Sequence, residues 1–199
     1  MNKTRTVGIL IFDEVEVLDF AGPFEVFAVT GRNDTIRPFH VVTCGVAPGP
    51  VKARNGLSIN PSHTITDCPA LDILIVPGGW GTRALLEAPE VLQWIQARAA
   101  SAELVLSVCT GALVLAKAGL LRGLSATTHH SAFEALRTLA PDTDLRPDSR
   151  LVDNGKFVLS AGVAAGIDMS FHVVARLLGR PVAEETAAYI EYPWRAGSQ

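Results

Sequence analysis

Glu103-Leu104-Val105-Leu106-Ser107-Val108-Cys109-Thr110-Gly111-Ala112-Leu113-Val114-Leu115-Ala116-Lys117-Ala118-Gly119-Leu120-Leu121 reads as a strand, a sharp turn and a helix, with a cysteine at the turn. The opening apolar run is of the buried-strand type. The run from Ala112 to Leu121 predicts a helix, with Gly119 near its end. Small residues around Cys109 give the layout of a nucleophile elbow, in which the backbone turns sharply and lifts one side chain clear. The form here is Ser-x-Cys-x-Gly. A helix that begins at the turn brings free N–H groups and a positive dipole end, which are expected to lower the Cys109 pKa. The same pattern also fits a small cysteine buried between a strand and a helix.

Outward from the elbow, the chain repeats the strand-then-helix alternation. Val7–Phe12 and Asp72–Val76 are continuous apolar runs suited to strands buried on both faces. Phe39–Cys44 predicts another strand, and short strands are expected around Val51 and Leu57. Helices are predicted over Phe20–Val29, Glu87–Ala100, Ser131–Leu139, Ile167–Leu178 and Ala183–Ile190. Asn154-Gly155, between Arg150–Asp153 and Lys156–Leu159, is a strong hairpin signal. The alternation predicts an α/β fold, a three-layer α/β/α sandwich around a mostly parallel sheet. Ligands of such sheets bind beyond the carboxyl ends of the strands. That rule selects the segments Asp13–Asp19, Gly78–Gly81, the Cys109 turn and Thr127–His130.

The 199 residues fit one domain with a substantial core, taken as residues 1–199. A net charge of −3 and a pI near 5.9 give no footprint for nucleic acid. No apolar stretch reaches membrane-spanning length, and the N-terminus lacks a signal-peptide shape. Neither a nucleic-acid nor a membrane partner is expected. The three cysteines, Cys44, Cys68 and Cys109, are an odd, sparse set, which points to reduced thiols and a cytoplasmic protein. Cys44 and Cys68 read as packing or surface residues. Adjacent His129 and His130 are poorly spaced for metal, so no metal is expected. No Gly-x-Gly-x-x-Gly follows the first strand, so no dinucleotide is implied and no cofactor is expected.

Cys109 is thus the candidate nucleophile. Gly78 and Gly79 are free of Cβ atoms, and their N–H groups, with that of Thr110, are candidates for an oxyanion hole. A plain glycine turn is the alternative. Asp19, set among Val17, Leu18 and Phe20, is either a helix N-cap or a buried acid of raised pKa suited to proton transfer. Glu16 and Glu25 are the other acids nearby. His129 is a candidate for orienting substrate, and Asp168 reads as a capping or first-turn acid.

Taken in order, Leu18–Phe27, Pro77-Gly78-Gly79, Ser107–Ala112, Ala126–His129 and Ala161–Asp168 resemble the motifs of the ThiJ/PfpI superfamily. The resemblance covers nearly the whole chain and implies a flavodoxin-like, class I glutamine amidotransferase-like fold. Within the superfamily the chain is most similar to the isonitrile hydratase group and to the sensor domains of AraC-type regulators. The first likeness implies a hydro-lyase in which Cys109 attacks the terminal carbon of an isocyanide. Asp19 would then move the proton or activate water, and Thr110 would contribute its N–H. Phe20, Trp80 and Val163 are expected to form an apolar flank that holds the organic group of a small-molecule substrate. PfpI-type peptidases carry His after the nucleophile; Thr110 stands there instead, which disfavours peptidase activity. His130 stands where many hydratase-like chains have Trp.

The alternatives are a sensing or binding domain without turnover and a stress enzyme that handles reactive carbonyls or senses oxidants through Cys109. The sequence ends at Gln199 with no room for a helix-turn-helix pair, so a complete regulator of that kind is not expected, and a stand-alone binding module stays open. Members of the superfamily are commonly dimers, which implies a homodimer.

Overall fold

The structure is a computed structural model and describes residues 3–195. In chain order its strands and helices are β1 (Arg5–Ile11), α1 (Val17–Val29), β2 (Phe39–Gly45), β3 (Val51–Lys52), β4 (Ser58–Ile59), β5 (His63–Thr64) and β6 (Ile73–Val76). There follow α2 (Thr82–Leu85), α3 (Pro89–Ser101), β7 (Leu104–Val108), α4 (Gly111–Lys117), β8 (Ser125–Ala126) and α5 (Phe133–Leu139). The last are β9 (Asp144–Leu145), β10 (Leu151–Asp153), β11 (Phe157–Ser160), α6 (Ala165–Leu178) and α7 (Arg180–Tyr189).

The main sheet has seven strands in the order β10-β11-β7-β6-β1-β2-β5. Every pairing is parallel except β10 with β11, the hairpin turned at Asn154-Gly155. The predicted α/β sandwich is therefore the fold: a mostly parallel sheet flanked by helices. The helices form two groups, α1 with α6 and α7, and α2 through α5. The central strands β1, β6 and β7 are almost wholly buried, as their unbroken apolar runs require.

Chain order sets the position of the site. The chain leaves β1 toward β2 and β5, then returns to lay β6 on the other side of β1. This reversal opens a crevice at the carboxyl ends of β1 and β6, the usual ligand position in such sheets. The turn after β7 borders it.

The predicted elements are present with shifted ends. Helix α1 starts at Val17, three residues earlier than the apolar pattern implies, because the Glu16 N–H donates to Gly78 O (2.9 Å) and fixes the chain there. Pro23 therefore lies inside the helix, where the Asp19 carbonyl has no N–H to accept. Helix α4 stops at Lys117, two residues short of Gly119, whose φ is +74°. The short pieces α2, β5, β8 and β9 carried no sequence signal.

Candidate active site

The turn after β7 is strained in the manner of an elbow. Cys109 adopts φ +57°, a left-handed conformation that is costly for a residue with a side chain. Hydrogen bonds hold it there: its N–H donates to Ala161 O (3.1 Å), and its carbonyl accepts from Thr128 Oγ1 (2.7 Å). Glycine at 111 is required by space, since a Cβ there would lie 2.0 Å from Val76 O. The turn thus sits hard against the end of β6, and the thiol stands beside the loop that follows.

Asp19 reaches the same point from α1. The N-cap position belongs to Glu16, and Asp19 lies in the first turn, fully buried, so its role is not that of a cap. Gly78 N–H donates to Asp19 Oδ2 (2.9 Å). Asp19 Oδ1 is buried with no well-formed hydrogen bond, and the Cys109 thiol is the group within proton-sharing reach of the carboxyl. Burial, opposed by the Gly78 N–H and reinforced by the charge of Glu16, pushes the Asp19 carboxyl up to about 7.

The expectation of an activated thiolate is overturned. Burial and then the charge of Asp19 push the Cys109 thiol up to about 12. The N–H groups of Thr110 and Val163 point at the sulfur and favour the anion, but they do not offset those two effects. At neutral pH the site therefore rests as a thiol beside an acid that is part carboxylate.

The expected oxyanion hole also takes another form. Gly78 N–H is engaged by Asp19, and Gly79 N–H donates to Thr110 Oγ1 (3.0 Å). The two glycines thus position the acid and the threonine. A Cβ on Gly78 would come within 2.5 Å of Thr110 N and 2.8 Å of Asp19 Oδ2, so this position tolerates only glycine. The donors aimed at sulfur are the N–H groups of Thr110 and Val163. Val163 itself has φ +51°, a second strained backbone at the site.

His129 lies against this cluster, close enough to Gly162 that a Cβ there would meet its Cδ2 at 2.3 Å. Ser131 N–H donates to its Nδ1 (3.3 Å), which leaves Nε2 as the protonated nitrogen of the neutral ring. Burial and His130 lower its pKa, while Glu16 raises it. Glu16 thus acts electrostatically on both Asp19 and His129. The expected apolar flank is divided: Phe20 is part of the buried core, while Trp80 is 63% exposed with Arg83 over its ring (4.3 Å). Asp168 is in the first turn of α6, as expected, and pairs with Arg150.

Sequence reading missed three contributors. The Val163 N–H is visible only when the loop after β11 is placed. The Thr128 hydroxyl braces the elbow carbonyl. Thr82 Oγ1 donates to Gly79 O (2.8 Å) and steadies the glycine loop. The last follows a Gly-Trp-Gly run, and a threonine opening a helix is the signal that points to it.

Among the described residues, no group of three or more His, Cys, Asp or Glu is placed to hold a metal. No helix among them is long and apolar enough to cross a membrane.

A strained cysteine elbow beside a buried acid, on a mostly parallel sheet, defines a class. The chain belongs to the DJ-1/PfpI family, whose pattern matches residues 5–176. It is 37% identical over 196 residues to isonitrile hydratase of Pseudomonas putida, covering 96% of this chain and 82% of that protein. It superposes on the crystal structure of a ThiJ/PfpI family protein from Pseudomonas syringae with TM-score 0.86. That match has 32% identity and covers 98% of this chain and 80% of the other. It is also 27% identical to the HTH-type transcriptional regulator GbdR of Pseudomonas aeruginosa, covering 90% of this chain and 48% of the regulator. The chain spans about half the length of that regulator.

Proposed function

We propose that this protein hydrates isocyanides to N-substituted formamides, with Cys109 as nucleophile and Asp19 as proton carrier. The observation that carries the reading is the buried Asp19–Cys109 pair, in which neither group has its ordinary pKa. The similarity to isonitrile hydratase supports the choice of reaction. Shape supports it too. Cys109 and Thr110 are each only 6% exposed, and an isocyanide presents a single terminal carbon end-on.

The terminal carbon of R–N≡C accepts both a proton and a nucleophile. The Asp19 carboxylate removes the Cys109 proton and delivers it to that carbon as the carbon–sulfur bond forms, giving R–N=CH–S–Cys109. The high pKa of the thiol makes the free thiolate scarce, so transfer of the proton together with attack is the economical route. The N–H groups of Thr110 and Val163 hold the sulfur as charge gathers on it. Water then adds to the same carbon, its proton passing through Asp19 to nitrogen. The carbon–sulfur bond breaks, the sulfur regains a proton, and R–NH–CHO leaves. Gly78 and Gly79 act by fixing Asp19 and Thr110, while His129, Trp80 and Phe20 are assigned to the organic group. The enzyme acts on a small molecule, needs no cofactor and works as a homodimer in the cytoplasm.

The test is formamide formation from cyclohexyl isocyanide by wild type beside Cys109→Ala. Wild type is expected to turn over, and the variant to lose roughly 10⁴-fold or more in rate while staying folded. Turnover that survives the substitution removes Cys109 from the reaction.

The resting thiol and the similarity to GbdR favour one second reading, a small-molecule-binding domain without turnover. Saturable ligand binding that persists in Cys109→Ala, with no product from wild type, is the result that selects it.

A further inference from the structure

Cys44 and Cys68 take no part in the site above, yet they form a cluster of their own. Neither lies on the surface: Cys44 is buried near the end of β2, and Cys68 is buried in the segment after β5. The β2–β5 register pairs Cys44 with His63, and the chain leaving β5 brings Cys68 against Cys44. Their sulfurs are 2.6 Å apart although the residues are 24 apart in sequence. Arg98 reaches the same place from α3, its Nη2 donating to the Cys68 carbonyl (3.0 Å).

The two thiols are unequal. The contact holds a proton on Cys44, whose thiol is pushed far above the ordinary range. The same contact, followed by the Arg98 charge, lowers the Cys68 thiol against the effect of burial. Cys68 also keeps 7% exposure where Cys44 has none, so an oxidant meets Cys68 first. A thiol open to oxidant with a partner thiol 2.6 Å away is the arrangement that yields a disulfide in preference to higher oxides.

We propose that Cys44 and Cys68 form a reversible internal disulfide, a redox-modification site separate from Cys109. The oxidant is a hydroperoxide, ROOH. The Cys68 thiolate attacks the outer oxygen; a sulfur–oxygen bond forms as the oxygen–oxygen bond breaks, and RO⁻ leaves and takes up a proton. Cys68 is thereby oxidised by two electrons to the sulfenic acid. The Cys44 sulfur then attacks the Cys68 sulfur, the S–S bond forms, and the hydroxyl leaves with the Cys44 proton as water. In sum, two thiols and ROOH give one disulfide, ROH and water. A dithiol reverses it by exchange, itself becoming a disulfide. Cys109, held as a thiol by burial and Asp19, reacts more slowly.

The experiment treats the whole wild-type protein with one equivalent of hydrogen peroxide at pH 7, followed by alkylation in denaturant and non-reducing peptide mapping. A linked Cys44–Cys68 peptide pair is expected, with Cys109 alkylated, and dithiothreitol before alkylation frees both thiols. In Cys44→Ser, Cys68 is expected to be trapped as a sulfenic acid by dimedone. The proposal is overturned if Cys44 and Cys68 remain fully alkylatable while Cys109 carries the oxidation, or if the disulfide joins Cys109. It is equally overturned if unfolded protein forms the Cys44–Cys68 link as fast as folded protein, because proximity in the fold is then irrelevant.

Discussion

Asp19 and Asp168 invite comparison. Each lies in the first turn of a helix, the two helices α1 and α6 pack on one another, and both side chains are buried. Asp168 is fully partnered. Arg150 binds its Oδ2 through Nε (2.6 Å) and Nη2 (2.5 Å), and the Tyr192 hydroxyl donates to Oδ1 (3.1 Å). Asp19 has one N–H on Oδ2, a thiol as neighbour and no cation in contact. Burial with a complete set of partners makes Asp168 a structural tie between α6 and the β10 segment. Burial without them makes the charge costly, so the group exchanges its proton near neutrality. The sequence motif around each is a short acid-bearing helix start; only the partners separate them.

The strongest way to break that contrast is to neutralise each acid and measure turnover of cyclohexyl isocyanide. Asp19→Asn is expected to lower kcat by about 10²–10⁴-fold, the usual worth of a positioned proton carrier. Asp168→Asn is expected to change it less than about threefold. Equal losses in the two variants would mean that both acids act through the fold.

Much of this was legible before the structure, for physical reasons that can be named. Strands β1, β6 and β7 are unbroken apolar runs because both faces of each are covered, and such runs survive in one dimension. The elbow was legible because a sharp turn demands small residues, and Gly111 is demanded by the Val76 carbonyl. Asp19 was readable as a candidate from its apolar neighbours, but its choice between cap and buried acid was not. That choice rests on Gly78, 59 residues away, which takes Oδ2. The oxyanion reading failed for a related reason. Sequence shows that Gly78 and Gly79 can donate, and only the fold shows that Asp19 and Thr110 already accept. The pKa of Cys109 went the other way because helix α4 is only seven residues long and its donors compete with burial and a neighbouring carboxylate. Contacts such as Cys44 with Cys68 leave no periodic trace at all.

Stability against pH sharpens the comparison through Asp19, whose burial makes its charge costly. For Asp19 the folded pKa, about 7, lies above the unfolded value of 3.8. Well below pH 3.8 both states are protonated and Asp19 carries no charge penalty. As pH rises from 4 to 7 the unfolded chain loses its proton first, and the folded state loses relative stability until its own group ionises. The difference is on the order of 4 kcal/mol at pH 8. Asp19→Asn removes that penalty and keeps an acceptor for Gly78 N–H. Urea denaturation should therefore find it more stable than wild type at pH 8, with the gain vanishing toward pH 4. Asp168→Asn should instead be less stable at neutral pH. Its partner Arg150 is 42% exposed, so solvent screening holds the loss to about 1–2 kcal/mol. A destabilised Asp19→Asn at pH 8 would show that the carboxylate has a partner that stabilises its charge.

The smallest effect tests the coupling inside the Asp19–Cys109 pair. The charge of Asp19 is the second-largest influence on the thiol, after burial, and it raises the pKa. Removing the charge leaves burial in place, so Asp19→Asn should move the Cys109 alkylation curve toward lower pH without bringing it to the value of a free thiol. Peptide-resolved iodoacetamide labelling between pH 7 and 11 reads this directly, since Cys44 and Cys68 are followed on separate peptides. The same substitution in Asp168 should leave the Cys109 curve in place, because that charge is matched by Arg150. A curve that moves to higher pH in Asp19→Asn would mean that Asp19 supports the thiolate. The proton would then already have left sulfur before substrate arrives, and the concerted transfer to the isocyanide carbon would give way to attack by a preformed anion.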